Sequence, residues 1–458
     1  MARKKAIKKI QKRQNGITLV ALVVTIVILI ILATVTINAT FGENGLLKKA
    51  QEAKDMTTNA IKAEEESMNE MLEEYANIIA EEPEIPVPDE TEVYVDSVLA
   101  VAPEITDGMV PVKWDSTQSK WVKTTVDDDK WYNYANKEWA NVVLTPTSGE
   151  KEGKDATGTV DVFNEDGTLN ESSAYSMLVW IPRYAYQITS QYHTSGSTAG
   201  NIDIVFIDTN NQNKDKTKTY SEEYPSYTTG SGMSDFVVHP AFIYGTTKLA
   251  GIWVGKYETS HTECTTTEST GSTDTNVTTL TATIRPNVTS WRNISISNIY
   301  TVCTELNKAG NPYGLNSNDM ESVDPHLMKN TEWGAVAYLS QNTTYGKGTE
   351  VTINDNSSYI TADGSYISNA SQSTTGNVWG IYDMSGGAYE YTAAYVNNGH
   401  SNLTDETLGK NVYESAARYK DVYQATSTSG SDSQSGNYNL LNPKEKYGDA
   451  VYETSNSY

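Results

Sequence analysis

The stretch NVWGIYDMSGGAYEY, residues 377–391, carries the strongest local signal for the fold. Its three glycines allow backbone conformations that are closed to most other residues, so they predict tight turns. Near the end of the stretch, tyrosines on both sides of Glu390 give the alternation of a half-buried strand. The stretch therefore predicts a turn-rich β segment.

Long polar stretches surround this segment. Short aliphatic or aromatic runs alternate with sequence rich in Ser, Thr, Asn and Gly, around residues 190–235, 262–280 and 341–376. These stretches are too long for simple turns, so we expect extended loops on a rigid scaffold. Loops of this kind are where binding residues usually lie.

Five segments resemble, in order, the formylglycine-generating enzyme family, also called the sulfatase-modifying factor family. They are MLVWIP (177–182), GKYETS (255–260), RPNVTSW (285–291), LMKNTEW (327–333) and residues 377–391. The last is very close to the family's Asn-x-x-Gly-Leu-Tyr-Asp-Met-x-Gly-Asn-Val-x-Glu-Trp. The resemblance implies a C-type-lectin-like head whose structural motif comprises Asn377, Gly380, Tyr382, Asp383, Gly386 and Glu390.

The resemblance does not extend to the catalytic chemistry of that family. Its members bind copper through two cysteines near the end of the domain, whereas no cysteine follows Cys303 here. A related branch binds iron through His and Glu, but the five histidines show no His-x-x-x-His-x-Glu pattern. We therefore expect no enzyme activity, no catalytic residue, no metal and no cofactor. Asp383 and Glu390 are interpreted as structural.

The two cysteines and the C-terminal end of the head each allow more than one interpretation. Cys264 and Cys303 could form a disulfide in an oxidising compartment or remain free thiols. Family members normally close with an Arg-Gly-Gly-Ser-type turn and a Gly-Phe-Arg strand. This chain instead ends at Tyr458, so we expect either that the head is incomplete at its C-terminus or that the fold is closed differently.

The N-terminus follows a different pattern. Residues 1–16 hold seven basic side chains and no acid, and residues 17–37 form an uncharged run of 21 residues. A run of that length can cross a bilayer as a helix, and the basic flank before it predicts a cytoplasmic side. The sequence therefore predicts a membrane-spanning segment.

The boundary NGITL, residues 15–19, resembles the cleavage site of type IV prepilins and pseudopilins. The resemblance implies that a prepilin peptidase cuts after Gly16 and that Ile17 becomes the N-methylated N-terminus. The family normally has Glu at the fifth mature position, where this chain has Ala21. This departure from the family pattern argues against the standard packing of a major pilin. A plain single-pass anchor is the alternative interpretation.

Together these patterns predict an α+β protein in which a long pilin-type transmembrane and stalk helix precedes a loop-rich, β-dominated head. The predicted parts are a basic prepilin leader (1–16), a transmembrane helix (17–40), an amphipathic stalk helix (44–80), a Pro/Glu linker (81–90), a small β module (91–170) and the formylglycine-generating-enzyme-like head (171–458).

Charge limits the classes of partner. The formal net charge is −24 despite the basic leader, and such an acidic body would be repelled by nucleic-acid phosphates. The predicted partners are prepilin peptidase, other pilin or pseudopilin subunits, membrane lipid and an extracellular glycan or protein ligand. The predicted location is a single-pass membrane protein with an extracellular head, or an assembled pilus or pseudopilus.

Several functions are compatible with this organisation. The leading hypothesis is a minor, tip-located pilin or pseudopilin that presents a non-catalytic, lectin-like head for adhesion. The alternatives are a structural pseudopilin of a type II secretion or DNA-uptake apparatus and a membrane-tethered enzyme of the formylglycine-generating type. A retroelement-diversified receptor is a variant of the first. The 30 tyrosines resemble a binding-loop composition, or equally that of an ordinary secreted β protein.

Overall fold

A computed structural model describes residues 24, 26–32, 54, 62, 100–194, 200–264, 280–306, 308–315, 323–424 and 447–454. The chain divides into two compact units, Met1–Asp89 and Glu90–Tyr458. In the first unit, all the described residues are helical. The leader, Gly16, Ile17, Ala21 and the linker 81–90 lie outside the described residues.

The second unit is built mostly from short antiparallel strands, with few helices. The strands are β1 (Met109–Asp115), β2 (Lys120–Lys123), β3 (Asn141–Leu144), β4 (Ser176–Pro182), β5 (Tyr184–Ile188), β6 (Ile202–Phe206), β7 (Tyr227–Thr228), β8 (Gly232–Met233), β9 (Val237–Val238), β10 (Ile243–Tyr244), β11 (Thr247–Lys248), β12 (Gly251–Gly255), β13 (Ser260–His261), β14 (Ala282–Thr283), β15 (Ala394–Asn397) and β16 (Asp421–Gln424). Its α-helices are α1 (Ile296–Glu305), α2 (Asn330–Gln341), α3 (Lys410–Glu414) and α4 (Ala450–Thr454).

The long N-terminal helix that the sequence predicts is not found. Within the described ranges, no helix combines the length and the apolar character that crossing a bilayer requires. The longest described helix, α2, has 12 residues, whereas a span needs about 20. The predictions of a pilin-type transmembrane and stalk helix, and of a single-pass membrane or pilus location, are therefore wrong. The uncharged run met the length criterion, but only residues 24 and 26–32 of it are described.

The largest described sheet has five strands in the order β12-β4-β3-β1-β2. β3 and β4 are rich in Val, Ile and Trp, and nearly all of their side chains are buried, so both faces of these strands are covered. Trp180 of β4 lies opposite Trp253 of β12 in the antiparallel register. The sheet thus joins strands from both sides of the boundary predicted at residue 170.

Tyrosine and tryptophan fill the core of this unit. Seven tyrosines are among the largest fully buried side chains, so much of the tyrosine content serves packing. Six of these seven hydroxyl groups make hydrogen bonds inside the protein, as buried tyrosines usually do. Tyr134 donates to the Trp180 carbonyl oxygen at 2.6 Å, and Tyr184 donates to that of Ala335 at 2.7 Å. The first bond ties the segment at Tyr134 to β4 of the five-stranded sheet, and the second ties β5 to α2.

Helix α2 packs closely against the segment before α4 at Gly334. A Cβ atom added there would lie well inside van der Waals contact of the Gly448 carbonyl oxygen. Gly→Ala inside a helix normally stabilises it by about 1 kcal/mol. We expect Gly334→Ala to destabilise the protein instead, by roughly 1–3 kcal/mol, because the backbones must separate.

Urea unfolding of the full chain, followed by tryptophan fluorescence, checks this expectation. Ala337→Gly in the same helix is the control, with an expected loss of about 1 kcal/mol from helix propensity and a smaller loss from the packing of this partly buried methyl group. A Gly334→Ala protein that is more stable than the natural one would contradict the close packing of α2 against Gly448.

Candidate functional site

The predicted motif residues Asn377, Gly380 and Tyr382 lie in one turn that precedes a surface loop. The Asn377 side-chain oxygen accepts a hydrogen bond from the Trp379 N–H at 2.9 Å, which closes the turn. Gly380 leaves no room for a side chain, because a Cβ atom there would lie 2.6 Å from the Thr375 hydroxyl oxygen. The Tyr382 hydroxyl donates to the Tyr366 carbonyl oxygen at 2.7 Å. These contacts give the loop a rigid base.

A buried lysine fixes the same turn from below. The Lys256 Nζ donates to the carbonyl oxygens of Val378 at 2.8 Å and Gly380 at 2.7 Å. It also lies 4.9 Å from the centroid of the Trp121 ring, within cation–π range. Burial lowers the pKa of Lys256 well below its ordinary value. Lys256 therefore acts as an internal clamp on the turn.

Asp383 joins three separate segments. Its carboxylate accepts hydrogen bonds from the Ala362 N–H at 2.9 Å, the Asn354 side-chain amide at 2.9 Å and the Glu258 N–H at 3.4 Å. Its backbone is in the left-handed region, with φ at 55°. Burial raises the pKa of Asp383 to about 6, although these bonds oppose the rise. A buried carboxylate with this many donors serves to hold the backbone in place.

Glu258 lies between Asp383 and the loop that follows it. Its carboxylate accepts hydrogen bonds from the Ser290 hydroxyl and from the Ala388 N–H, the latter at 3.1 Å. Gly387 passes so close that a side chain there would overlap the Glu258 carboxylate. Burial raises the pKa of Glu258 to about 7, and the neighbouring Asp383 adds to the rise. The loop backbone is therefore seated directly on this carboxyl group.

The loop then presents tyrosines to solvent. Tyr389 is 96% exposed and Tyr391 is 50% exposed, so the predicted alternation of a half-buried strand is not realised. The region around Tyr389 and Tyr391 is not a strand, because its backbone makes no ladder. Glu390 is exposed as a residue, but its carboxyl group lies among protein atoms. This desolvation, together with the charges of Glu258 and Asp383, raises the pKa of Glu390 to about 8.

Neighbouring segments extend this exposed surface. The Asn354 N–H donates to the Ser385 carbonyl oxygen at 2.8 Å, which places Ile353, itself 65% exposed, beside the loop. The Ser290 N–H donates to the Tyr359 carbonyl oxygen at 2.9 Å. We use the name tyrosine face for these four exposed side chains, Tyr389, Tyr391, Ile353 and Tyr359, which lie on the loop and on the segments packed beside it.

A guanidinium already stacks on this face. The Arg292 side chain lies 4.0 Å from the centroid of the Tyr359 ring. Such an arrangement is a favourable cation–π contact, and it covers one side of a ring that is 38% exposed. The face therefore combines aromatic rings, one cation and the carboxylates of Glu258 and Glu390.

A second surface feature is an open groove of about 340 Å³ beside the β7–β8 hairpin. Its lining is mostly Ser and Thr hydroxyls, with Tyr227 and Met233. Tyr227 is backed by the Tyr192 ring, whose centroid lies 4.7 Å away. None of the lining residues is charged, so the groove offers hydrogen bonds without an electrostatic anchor.

The site gives no sign of metal or thiol chemistry in the part of the chain that the structure describes. No group of three or more His, Cys, Asp or Glu side chains among the described residues could hold a metal ion. Cys264 and Cys303 are not joined by a disulfide, and Cys264 is buried. Burial raises the pKa of Cys303 to about 12, so its thiolate is strongly disfavoured.

Comparison of the chain with models of protein families, with curated proteins and with solved structures finds no match. The resemblances to the prepilin segment and to the formylglycine-generating enzyme family thus stay predictions from short motifs. The site has to be interpreted from its own contacts.

Proposed function

We propose that the Glu90–Tyr458 unit is a non-catalytic binding module whose tyrosine face contacts a protein ligand. The observation that carries the proposal is the exposure of Tyr389, at 96%, on a loop that buried hydrogen bonds hold in place. Tyrosine on a rigid loop offers a large contact area at low entropic cost. Exposed apolar and aromatic side chains on neighbouring segments commonly mark interaction sites.

The rigidity of the loop supports binding rather than accidental exposure. Glu258 fixes the backbone at Ala388, immediately before Tyr389. Lys256 and Asp383 hold the preceding part of the chain, at Gly380 and at Asp383 itself. A ligand would therefore meet tyrosines whose backbone is already ordered. Preorganisation of this kind reduces the entropy lost on association.

Charge indicates the kind of partner. The chain carries a formal net charge of −24, so its surface as a whole is acidic. Complementary charge favours a protein with a basic rim around an apolar or aromatic centre. The stacking of Arg292 on Tyr359 at 4.0 Å is an internal example of the contact that an incoming arginine could make with Tyr389.

Replacing Tyr389 by alanine should remove most of this binding. Random peptides of about 12 residues displayed on phage would be selected on the full chain, and we expect enrichment of Arg or Lys next to aromatic residues. For selected peptides, Tyr389→Ala should weaken affinity by about thirtyfold, the loss typical of a central aromatic contact. Biolayer interferometry measures this change.

Stability serves as the internal control for this experiment. Because Tyr389 is almost fully exposed, Tyr389→Ala should change the free energy of unfolding by less than about 0.5 kcal/mol. Val126→Ala, at a side chain that is 48% exposed on a different loop, should leave peptide affinity unchanged. Failure to enrich any peptide, or equal binding by the Tyr389→Ala protein, would overturn the proposal. So would binding of neutral glycans on an array that depends on Tyr389.

A further inference from the structure

We propose that Glu258 is a positioning residue of the tyrosine face, and that its protonation state sets whether residues 386–391 stay closed over it. The inference rests on the proposed function, since it concerns the regulation of the same face. It predicts a binding surface that is ordered in mildly acidic solution and loosens as the solution becomes alkaline.

The geometry places Glu258 directly under the loop. Its carboxylate receives the Ala388 N–H at 3.1 Å and the Ser290 hydroxyl, and these groups come from two different segments. Gly387 approaches it more closely than any residue with a side chain could. Ala388 immediately precedes Tyr389, so a shift of the Glu258 carboxyl group moves the backbone that carries the exposed ring.

The charges around Glu258 are mostly of its own sign. Asp383 raises its pKa and Arg292 lowers it, while Glu390 lies close enough for the two glutamates to interact. The charge of Asp363 in turn raises the pKa of Asp383. Four carboxyl groups therefore share this region with one cation that is already stacked on Tyr359. Ionisation of all of them in the closed arrangement is unfavourable, because like charges repel and burial removes water.

The direction of the pH effect follows from the raised values. The pKa values of Asp383, Glu258 and Glu390 in the closed loop are about 6, about 7 and about 8, all above their ordinary values. The closed loop thus holds protons more tightly than an opened, hydrated one. Its extra stability is fully present below about pH 4 and is lost as the pH rises through the closed-state values. Opening therefore increases between about pH 5 and pH 8.

Hydrogen exchange of the full chain without ligand tests this inference. The Gly387 N–H donates to the Asn354 carbonyl oxygen and the Ala388 N–H to Glu258. Protection of these two amides, corrected for intrinsic exchange chemistry, should fall about tenfold or more between pH 5.5 and pH 8.5. In Glu258→Gln, the side-chain oxygen can still accept from Ala388 and Ser290 but cannot ionise. Protection in that variant should stay high and depend much less on pH. Glu165→Gln, at an exposed carboxylate, should follow the natural protein.

Ser290→Ala supplies a second variant should Glu258→Gln fold poorly. The Ser290 bond lowers the pKa of Glu258, so its removal should move the midpoint of the protection loss to higher pH. A role in packing alone would lower protection in both variants at every pH, without shifting the midpoint.

The outcomes separate this inference from the proposed function. A pH-dependent loss of protection that Glu258→Gln abolishes supports it even if no peptide binds. A flat protection profile, or equal slopes in Glu258→Gln and the natural protein, overturns it, although binding through Tyr389 would then still stand. With selected peptides, the natural protein should bind several-fold more tightly at pH 6 than at pH 8, and Glu258→Gln should bind about equally at both.

Discussion

Replacing Lys256 by methionine is expected to lower the free energy of unfolding by about 3 kcal/mol. Lys256 is fully buried, and its Nζ donates to the carbonyl oxygens of Val378 at 2.8 Å and Gly380 at 2.7 Å. Methionine fills a similar volume but has no donor, and each buried carbonyl that loses its partner costs about 1–3 kcal/mol. Relief of the desolvated ammonium offsets part of this loss. The net effect therefore remains destabilising.

Urea unfolding of the full chain measures this change. Lys120→Met is the matched control, because Lys120 is exposed and its loss should change stability by less than about 0.5 kcal/mol. An unfolding free energy for Lys256→Met equal to that of the natural protein would show that the turn at Val378 and Gly380 does not depend on the clamp.

Replacing Asp383 by alanine should have a comparable or larger effect, about 4 kcal/mol. The change leaves three donors without their acceptor, from Ala362, Asn354 and Glu258. Each buried donor left alone costs about 1–3 kcal/mol, with partial relaxation expected. Alanine at a φ of 55° adds about 1 kcal/mol of backbone strain.

Asparagine is the matched replacement at this position. It tolerates the left-handed backbone and keeps one acceptor oxygen, so Asp383→Asn should cost only about 1–2 kcal/mol. Because burial raises the pKa of Asp383 to about 6, the stability that its protonated form adds is lost as the pH rises through that value. The difference between the natural protein and Asp383→Asn should therefore shrink from pH 5 to pH 8. A difference that grows with pH would contradict the assignment.

The sequence predicted the turns of the loop because glycine has a direct physical meaning there. Gly386 and Gly387 have φ values of 85° and 69°, conformations that other residues adopt at a cost. Gly380 is required for a different reason, since the Thr375 hydroxyl occupies the space of a side chain. The sequence therefore predicted where glycine is required, but not whether a positive φ or a close contact requires it.

The contacts that build the site could not be read from the sequence. Glu258 and Ala388 are separated by 130 positions, and no local sequence pattern indicates that the Ala388 N–H donates to the Glu258 carboxylate. The alternation of Tyr and Glu around Glu390 predicted a half-buried strand, but no described strand pairs with this loop. Solvent lies on one side of it and the carboxyl groups of Glu258 and Asp383 lie on the other. Period-two patterns report burial only where a ladder exists. The N-terminal prediction rested on the length of an apolar run, its basic flank and the NGITL motif. It was wrong about the transmembrane helix, because no helix among the described residues is long and apolar enough to cross a bilayer.

The order of the five-stranded sheet has a practical consequence for anyone shortening this chain. β4 receives β12 on one side and β3 on the other, and β3 comes from a segment that precedes residue 170. A fragment starting at residue 171 would leave one edge of β4 with a row of unused backbone groups and apolar side chains. Such an edge is a template for pairing between molecules. Recombinant proteins used to study the tyrosine face should therefore retain residues from about 100 onward, because a shorter fragment is expected to aggregate.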